Sequence, residues 1–211
     1  FDGARAVCGV PGLDQPDTFA FADDGVGGFW VGTVRGLFRV DATRTARPGP
    51  RLRSPGGAAV VWTLLRTRDG SLWVAGEHRS LTRITANEVR HFSPPEIPAS
   101  FVIAAAEDPD GTVWFGTAGH GLLRYRDGRF STVDATRGLH DDIVYAIVRD
   151  GVGGVWMSSN HGVSRVSSED LDAVADGRKP LLTPDVVGLA DGLRSEECNG
   201  TLTQAGVRTR D

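Results

Sequence analysis

The sequence predicts an all-β protein assembled from one recurring unit, a four-stranded antiparallel sheet. Three observations predict it. A motif of the form DGTVWFGTAGHGLLRY (Asp110–Tyr125) occurs four times with variations, around Trp30, Trp73, Trp114 and Trp156. The steps between those tryptophans are nearly constant, at 43, 41 and 42 residues. Each unit alternates apolar β-rich runs with turns rich in Asp and Gly, and no long amphipathic helical run interrupts them. A unit of this size cannot bury its apolar face alone and has to stack on its neighbours.

Within each unit the elements follow in a fixed order. The first is an apolar run: TFAFA (Thr18–Ala22), VVWTLL (Val60–Leu65), FVIAAA (Phe101–Ala106) and IVYAIV (Ile143–Val148). Near-continuous apolar runs of this length predict strands buried on both faces. Turns of the type DDGVGG, RDGS, DPDGT and RDGVGG follow, the signature of tight hairpins. The Trp strand comes next, then a second turn, then a short strand such as GLFRV or GLLRY. A more variable outer strand completes the unit, for instance GRFSTVD (Gly128–Asp134). Four antiparallel strands in roughly 40–45 residues make one blade of a β-propeller. A Trp in the second strand fills the gap between blades and buries about 150–250 Å². The glycines that follow it (Gly32, Gly76, Gly116) permit close backbone approach.

The chain reads as one propeller region over residues 1–211, with four complete blades and partial blades at 1–11 and 190–211. Gly12-Leu13 precedes Asp24 at the same distance that Gly138-Leu139 precedes Asp150. ADGLRSEECNG (Ala190–Gly200) repeats this Gly-Leu lead-in, so a piece of a larger ring is expected. Open blade faces of that kind invite self-association. EDLDAVADGRKPLL (Glu169–Leu182) is the one insertion, read as one or two helical turns with Ser168 as cap.

Composition narrows the function. A net charge of −4 gives no basic surface for nucleic acid. The arginines are spread along the repeats, and most read as solvated strand-face or turn residues. Cys8 and Cys198 lie at opposite ends of the sequence and read as free thiols. No Gly-x-Ser-x-Gly elbow is present, and the DGVGG turns lack the Gly-Lys-Ser/Thr ending of a phosphate loop.

Gly-Leu, an apolar strand, Asp-x-x-Gly-x-(apolar)-Trp-(apolar)-Gly-Thr and Gly-Leu-x-Arg together resemble the two-component regulator propeller repeat. Residues 108–125 and 24–40 match it almost throughout. The second unit departs at Glu77-His78-Arg79-Ser80, and the fourth at Met157-Ser158-Ser159, which puts the local turn geometry in question. The resemblance implies a non-catalytic, ligand-sensing propeller on the periplasmic side of a membrane-anchored signalling protein. It also implies seven-bladed rings, and a histidine kinase or diguanylate cyclase elsewhere in the parent chain. The alternatives are a propeller enzyme similar to streptogramin lyase, and a protein-interaction scaffold.

In such a propeller the turns between second and third strands share a rim with the loops leading into each first strand. The turns contribute Arg35, Glu77, His78, Arg79, His120 and His161. The lead-in loops contribute Asp14, Glu96, His140, Asp141, Asp142, Arg194, Glu196 and Glu197. Four of the five histidines therefore fall on one face, with His91 the exception on an outer strand. Arg35, His78, Arg79, His120, His140 and His161 are the candidates for binding a small anionic or sugar-like molecule. One His per blade, with no second ligand three or four residues away, lacks the spacing of a zinc site. No cofactor is expected.

Overall fold

The computed structural model describes residues 10–13, 17–50, 52, 60–76, 81–98 and 100–200. Among these, sixteen strands form four separate sheets of four, each in plain sequence order with antiparallel neighbours. The first sheet holds β1 (Thr18–Asp23), β2 (Phe29–Thr33), β3 (Gly36–Val40) and β4 (Ala46–Pro48). The second holds β5 (Val61–Arg66), β6 (Leu72–Gly76), β7 (Leu81–Ile84) and β8 (Val89–Phe92). In the third are β9 (Val102–Glu107), β10 (Val113–Thr117), β11 (Leu122–Arg126) and β12 (Arg129–Val133). The fourth has β13 (Ala146–Arg149), β14 (Gly154–Ser159), β15 (Gly162–Ser167) and β16 (Asp185–Val187). Among the described residues one α-helix, α1 (Ser168–Ala175), is inserted between β15 and β16. The chain divides into two compact units, Phe1–Ser93 with the first two sheets and Pro94–Asp211 with the other two.

The hairpins between first and second strands form as expected, because an Asp side chain replaces missing backbone partners. Asp24 Oδ1 accepts from Val26 N and Gly28 N at 2.9 and 2.8 Å, and Asp150 Oδ1 accepts from Val152 N and Gly154 N at 2.9 and 2.7 Å. Those glycine-rich tips then set a register in which each Trp lies opposite an Arg of the third strand. The pairs are Trp30↔Arg39, Trp73↔Arg83, Trp114↔Arg124 and Trp156↔Arg165. In all four the guanidinium lies over the indole, 5.6–5.9 Å from its centroid. Most of the described arginines are exposed, as expected, Arg39 among them. The Arg of the Gly-Leu-x-Arg motif roofs the Trp of its own blade, and Arg124 is buried.

Tryptophans also pack between sheets inside each unit. Trp30 joins Leu37 with Val61, Leu72, Val74 and Ile84 of the adjoining sheet. Trp114, Leu122 and Val133 share a core with Val155, Met157 and Val166, and α1 adds Leu171 and Val174. The small residue two places after the Trp faces the next first strand. A Cβ on Gly32 would lie 2.6 Å from Val61 Cγ1, and one on Gly116 would collide with the carbonyl of Val144.

The expectation of first strands buried on both faces is not met. β1, β5, β9 and β13 are mostly half-buried, whereas β6 and β10 are buried throughout. Each first strand is an edge of its sheet, bonded on one side only, so its apolar run is not enclosed. The insertion is helical as expected, but its cap lies one residue earlier. Ser167 Oγ accepts from Asp170 N at 3.0 Å, and Ser168 instead donates to Gly153 O. Cys198 is a free thiol, and Cys8 lies outside the described residues.

Candidate functional site

The turns that carry the candidate side chains are built by the Gly-Thr and Gly-Leu parts of the repeat. Thr33 Oγ1 donates to Gly36 O at 2.9 Å and accepts from Arg35 N at 3.0 Å. Thr117 Oγ1 does the same with Gly121 O and His120 N, at 2.8 and 3.0 Å. Ser159 Oγ repeats it with Gly162 O and His161 N, at 3.3 and 3.0 Å. The serine thus keeps the turn where the fourth unit departs from Gly-Thr. Gly36, Gly121 and Gly162 have positive φ, which lets the chain re-enter the third strand immediately. Arg35, His120 and His161 accordingly occupy one equivalent, exposed position in three blades.

In the second unit two of these turns are tied to one loop, Gly138–Ile143. The carbonyl of Asp142 accepts from Gly119 N and Gly121 N, on either side of His120, at 3.0 and 2.8 Å. Asp141 Oδ2 lies 2.7 Å from His161 Nδ1, and His140 Nε2 lies 2.9 Å from the carbonyl of His161. Asp141 and Asp142 are themselves fixed: their Oδ1 atoms accept from Ile143 N and Ala135 N at 2.9 and 2.7 Å. The loop therefore sits between the His120 turn and the His161 turn and fixes both.

The electrostatics favour an ionised Asp141. Burial pushes its carboxyl upward, but the hydrogen bonds from Ile143 N, His161 and Ser159, with the His161 charge, hold it below the usual value. The His161 ring is 70% exposed while the Asp141 side chain is 11% exposed. An anchored carboxylate thus presents an accessible imidazole.

The hydrogen bonding of this loop is repeated downstream. Leu139 N bonds to Asp134 O and Val144 N to Thr117 O, at 3.1 and 3.0 Å; Leu193 N bonds to Gly188 O and Cys198 N to Ser159 O, at 3.2 and 3.0 Å. Gly162 N donates to Glu196 O at 2.7 Å, so Glu196 is the counterpart of Asp142, and Arg194 that of His140.

Of the sequence candidates, the structure brings together His140 and His161, and places His120 on the other side of the same loop. Arg35 is exposed in the first unit. His78 and Arg79 lie outside the described residues, as do Asp14 and Glu77. His91 stands on β8 with Nδ1 2.9 Å from Thr82 Oγ1, on an outer strand as expected. Among the described residues no group of three His, Cys, Asp or Glu side chains is arranged to hold a metal ion. The anchoring part of Asp141 was not foreseen; its place two residues after a repeat-defining Leu was the only available signal.

Residues 96–119 match the family described as two component regulator propeller. Over those residues the chain is similar to a repeat of that family. No curated protein matches the chain by sequence. Among solved structures, the chain is similar to an extracellular domain described as that of a hybrid two component system from B. thetaiotaomicron (TM-score 0.68, 18% identity). That match covers 85% of this chain and 24% of the other. A second extracellular domain from the same organism, described as that of a one component system, matches at TM-score 0.66 and 20% identity, over 89% and 25% of the two chains. Virginiamycin B lyase from Staphylococcus aureus matches at TM-score 0.62 and 16% identity, over 83% and 57%. The chain thus spans about a quarter of the length of the extracellular domains, and at these identities the likeness establishes the propeller fold.

Proposed function

We propose that this chain is part of an extracytoplasmic sensor propeller that binds a small sugar-like or anionic molecule, within a membrane-anchored signalling protein. The observation that carries the proposal is loop Gly138–Ile143, which ties the His120 turn to the His161 turn through Asp142, Asp141 and His140. A ligand touching either turn acts on a loop that continues directly into β13, so occupancy has a mechanical route into the sheet. The repeat family and the extracellular domains of similar fold support a sensing part. No helix among the described residues is long and apolar enough to cross a membrane, so anchoring is proposed for the parent protein outside them. A ligand screen by thermal shift tests the reading: binding to the native state raises the melting temperature. His140→Ala and His161→Ala should abolish the shift.

One observation favours a second reading. A carboxylate oriented on His Nδ1 with an accessible Nε2 is also the arrangement of a general base. A lyase of similar fold keeps that reading in view. Conversion of the bound molecule, lost in His161→Ala, would establish it in place of sensing.

A further inference from the structure

The acceptors around His140 and His161 fix which ring nitrogens carry protons. Asp141 Oδ2 belongs to a carboxylate, which only accepts, and lies 2.7 Å from His161 Nδ1. The second oxygen of Asp141 is already taken by Ile143 N, so the carboxylate cannot turn away without freeing that amide. His140 Nε2 faces the carbonyl of His161, which also only accepts, at 2.9 Å. In their neutral forms both rings are therefore singly determined: His161 carries its proton on Nδ1 and His140 on Nε2. The remaining nitrogens, Nε2 of His161 and Nδ1 of His140, are bare lone pairs.

We propose that Asp141 is a positioning residue that locks neutral His161 as its Nδ1–H tautomer, so that with its imidazoles uncharged this surface offers ring lone pairs to a ligand and selects hydroxyl donors. The inference rests on the sensing reading and chooses within it. A carboxylate or phosphate brings only acceptors, and is disfavoured until the imidazoles are protonated. A hydroxyl-bearing molecule brings the donors that the lone pairs require. The charged groups on the elements bonded to the His161 turn are Asp141 and Asp142 on its loop, and Arg194, Glu196 and Glu197 on the segment after Gly188. Two of these, Asp141 and Asp142, are bonded to backbone amides.

The test reads the tautomer directly and needs no ligand. Long-range proton–nitrogen correlation spectra of the chain, recorded where the imidazoles are uncharged and assigned with His140→Gln and His161→Gln, distinguish protonated from bare ring nitrogens. The expected result is a protonated Nδ1 and bare Nε2 for His161, and the reverse for His140. Asp141→Asn keeps the shape and can still accept from Ile143 N, but turns an amide donor toward His161 Nδ1. It should move the His161 proton to Nε2. A wild-type His161 protonated on Nε2, or a His161 tautomer unchanged in Asp141→Asn, would overturn the proposal. Because no ligand enters, this outcome is independent of whether the chain senses a small molecule. A correct tautomer with no ligand found would count against the sensing reading alone.

Discussion

Arg165 lies over the ring of Trp156, 5.9 Å from its centroid, and at the same time donates from Nε and Nη2 to Asp150 Oδ2 at 3.1 and 3.0 Å. Trp156 Nε1 donates to that same oxygen at 3.3 Å. The Asp of the hairpin, the Trp of the second strand and the Arg of the third are thus one unit, and the repeat motif is the record of that contact. The first sheet repeats the ion pair through Asp24 and Arg39 at 2.8 Å, and the second through Asp69 and Arg83 at 2.7 Å. The third sheet differs. Its Arg124 reaches out to Asp172 and Asp176 beside α1, and Asp108 is paired with Arg149 of the neighbouring sheet.

Asp150 predicts a pH dependence. The amides of Gly154 and Val152, then Arg165 and Trp156, hold its carboxyl at about 2, below the ordinary 3.8. A carboxylate depressed in the folded state stabilises it above the unfolded value and loses that contribution as pH falls through the folded one. The gap in melting temperature between wild type and Asp150→Asn should therefore be constant above about pH 5 and close between about pH 4 and 2. A gap that does not change with pH would contradict the assignment.

Gly116 predicts a steric effect. Any side chain there meets the carbonyl of Val144 and lies 3.0 Å from the Ala104 side chain. Gly116→Ala should cost about 1–3 kcal/mol in denaturant unfolding, as overpacking does. Ala75, the buried residue at the corresponding place in the second sheet, should tolerate Gly with a smaller loss of about 0.5–1 kcal/mol.

Trp114 is almost fully buried, at 1% exposure, and donates from Nε1 to Asp108 Oδ2 at 3.0 Å. Trp114→Ala should cost about 3–5 kcal/mol. Trp114→Phe should retain part of the packing but remove a hydrogen bond from a carboxylate whose pKa burial already raises against the pull of Arg149 and Trp114. Chemical denaturation of the two variants separates the packing and polar contributions.

Arg124 and Ser167 hold α1 from two sides. Ser167→Ala removes the cap and should cost about 1 kcal/mol. Arg124→Ala removes the contacts to Asp172 and Asp176 and uncovers Trp114, with an expected cost of roughly 1.5–3 kcal/mol. Amide exchange should rise over Ser168–Ala175 in both variants and remain slow in β10.

The propeller architecture was legible because its signals are local. DGVGG makes a hairpin wherever an Asp side chain can reach the amides two and four residues on, as Asp24 and Asp150 do. The helix at α1 was legible from its own sequence, though with two adjacent serines the cap could not be placed. Contacts that depend on register were not legible. Arg124 over Trp114 follows only once the turn at Ala118–His120 fixes which residues lie opposite. The burial of first strands was misread because an apolar run does not reveal that its strand is a sheet edge. The candidate site was half legible: the repeat put His140 and His161 on one face. The bridge between Asp141 and His161 spans twenty residues and needed coordinates.

The most direct test of the sensing proposal is a thermal-shift screen of sugars and sugar acids on the wild-type chain and on the His140→Ala/His161→Ala variant. The proposal predicts a sugar-like or anionic molecule that raises the wild-type melting temperature, with about 2.7 kcal/mol of stabilisation at a hundredfold excess over Kd, and leaves the variant unmoved. A molecule that stabilises both chains equally, or that is converted while bound, would contradict it.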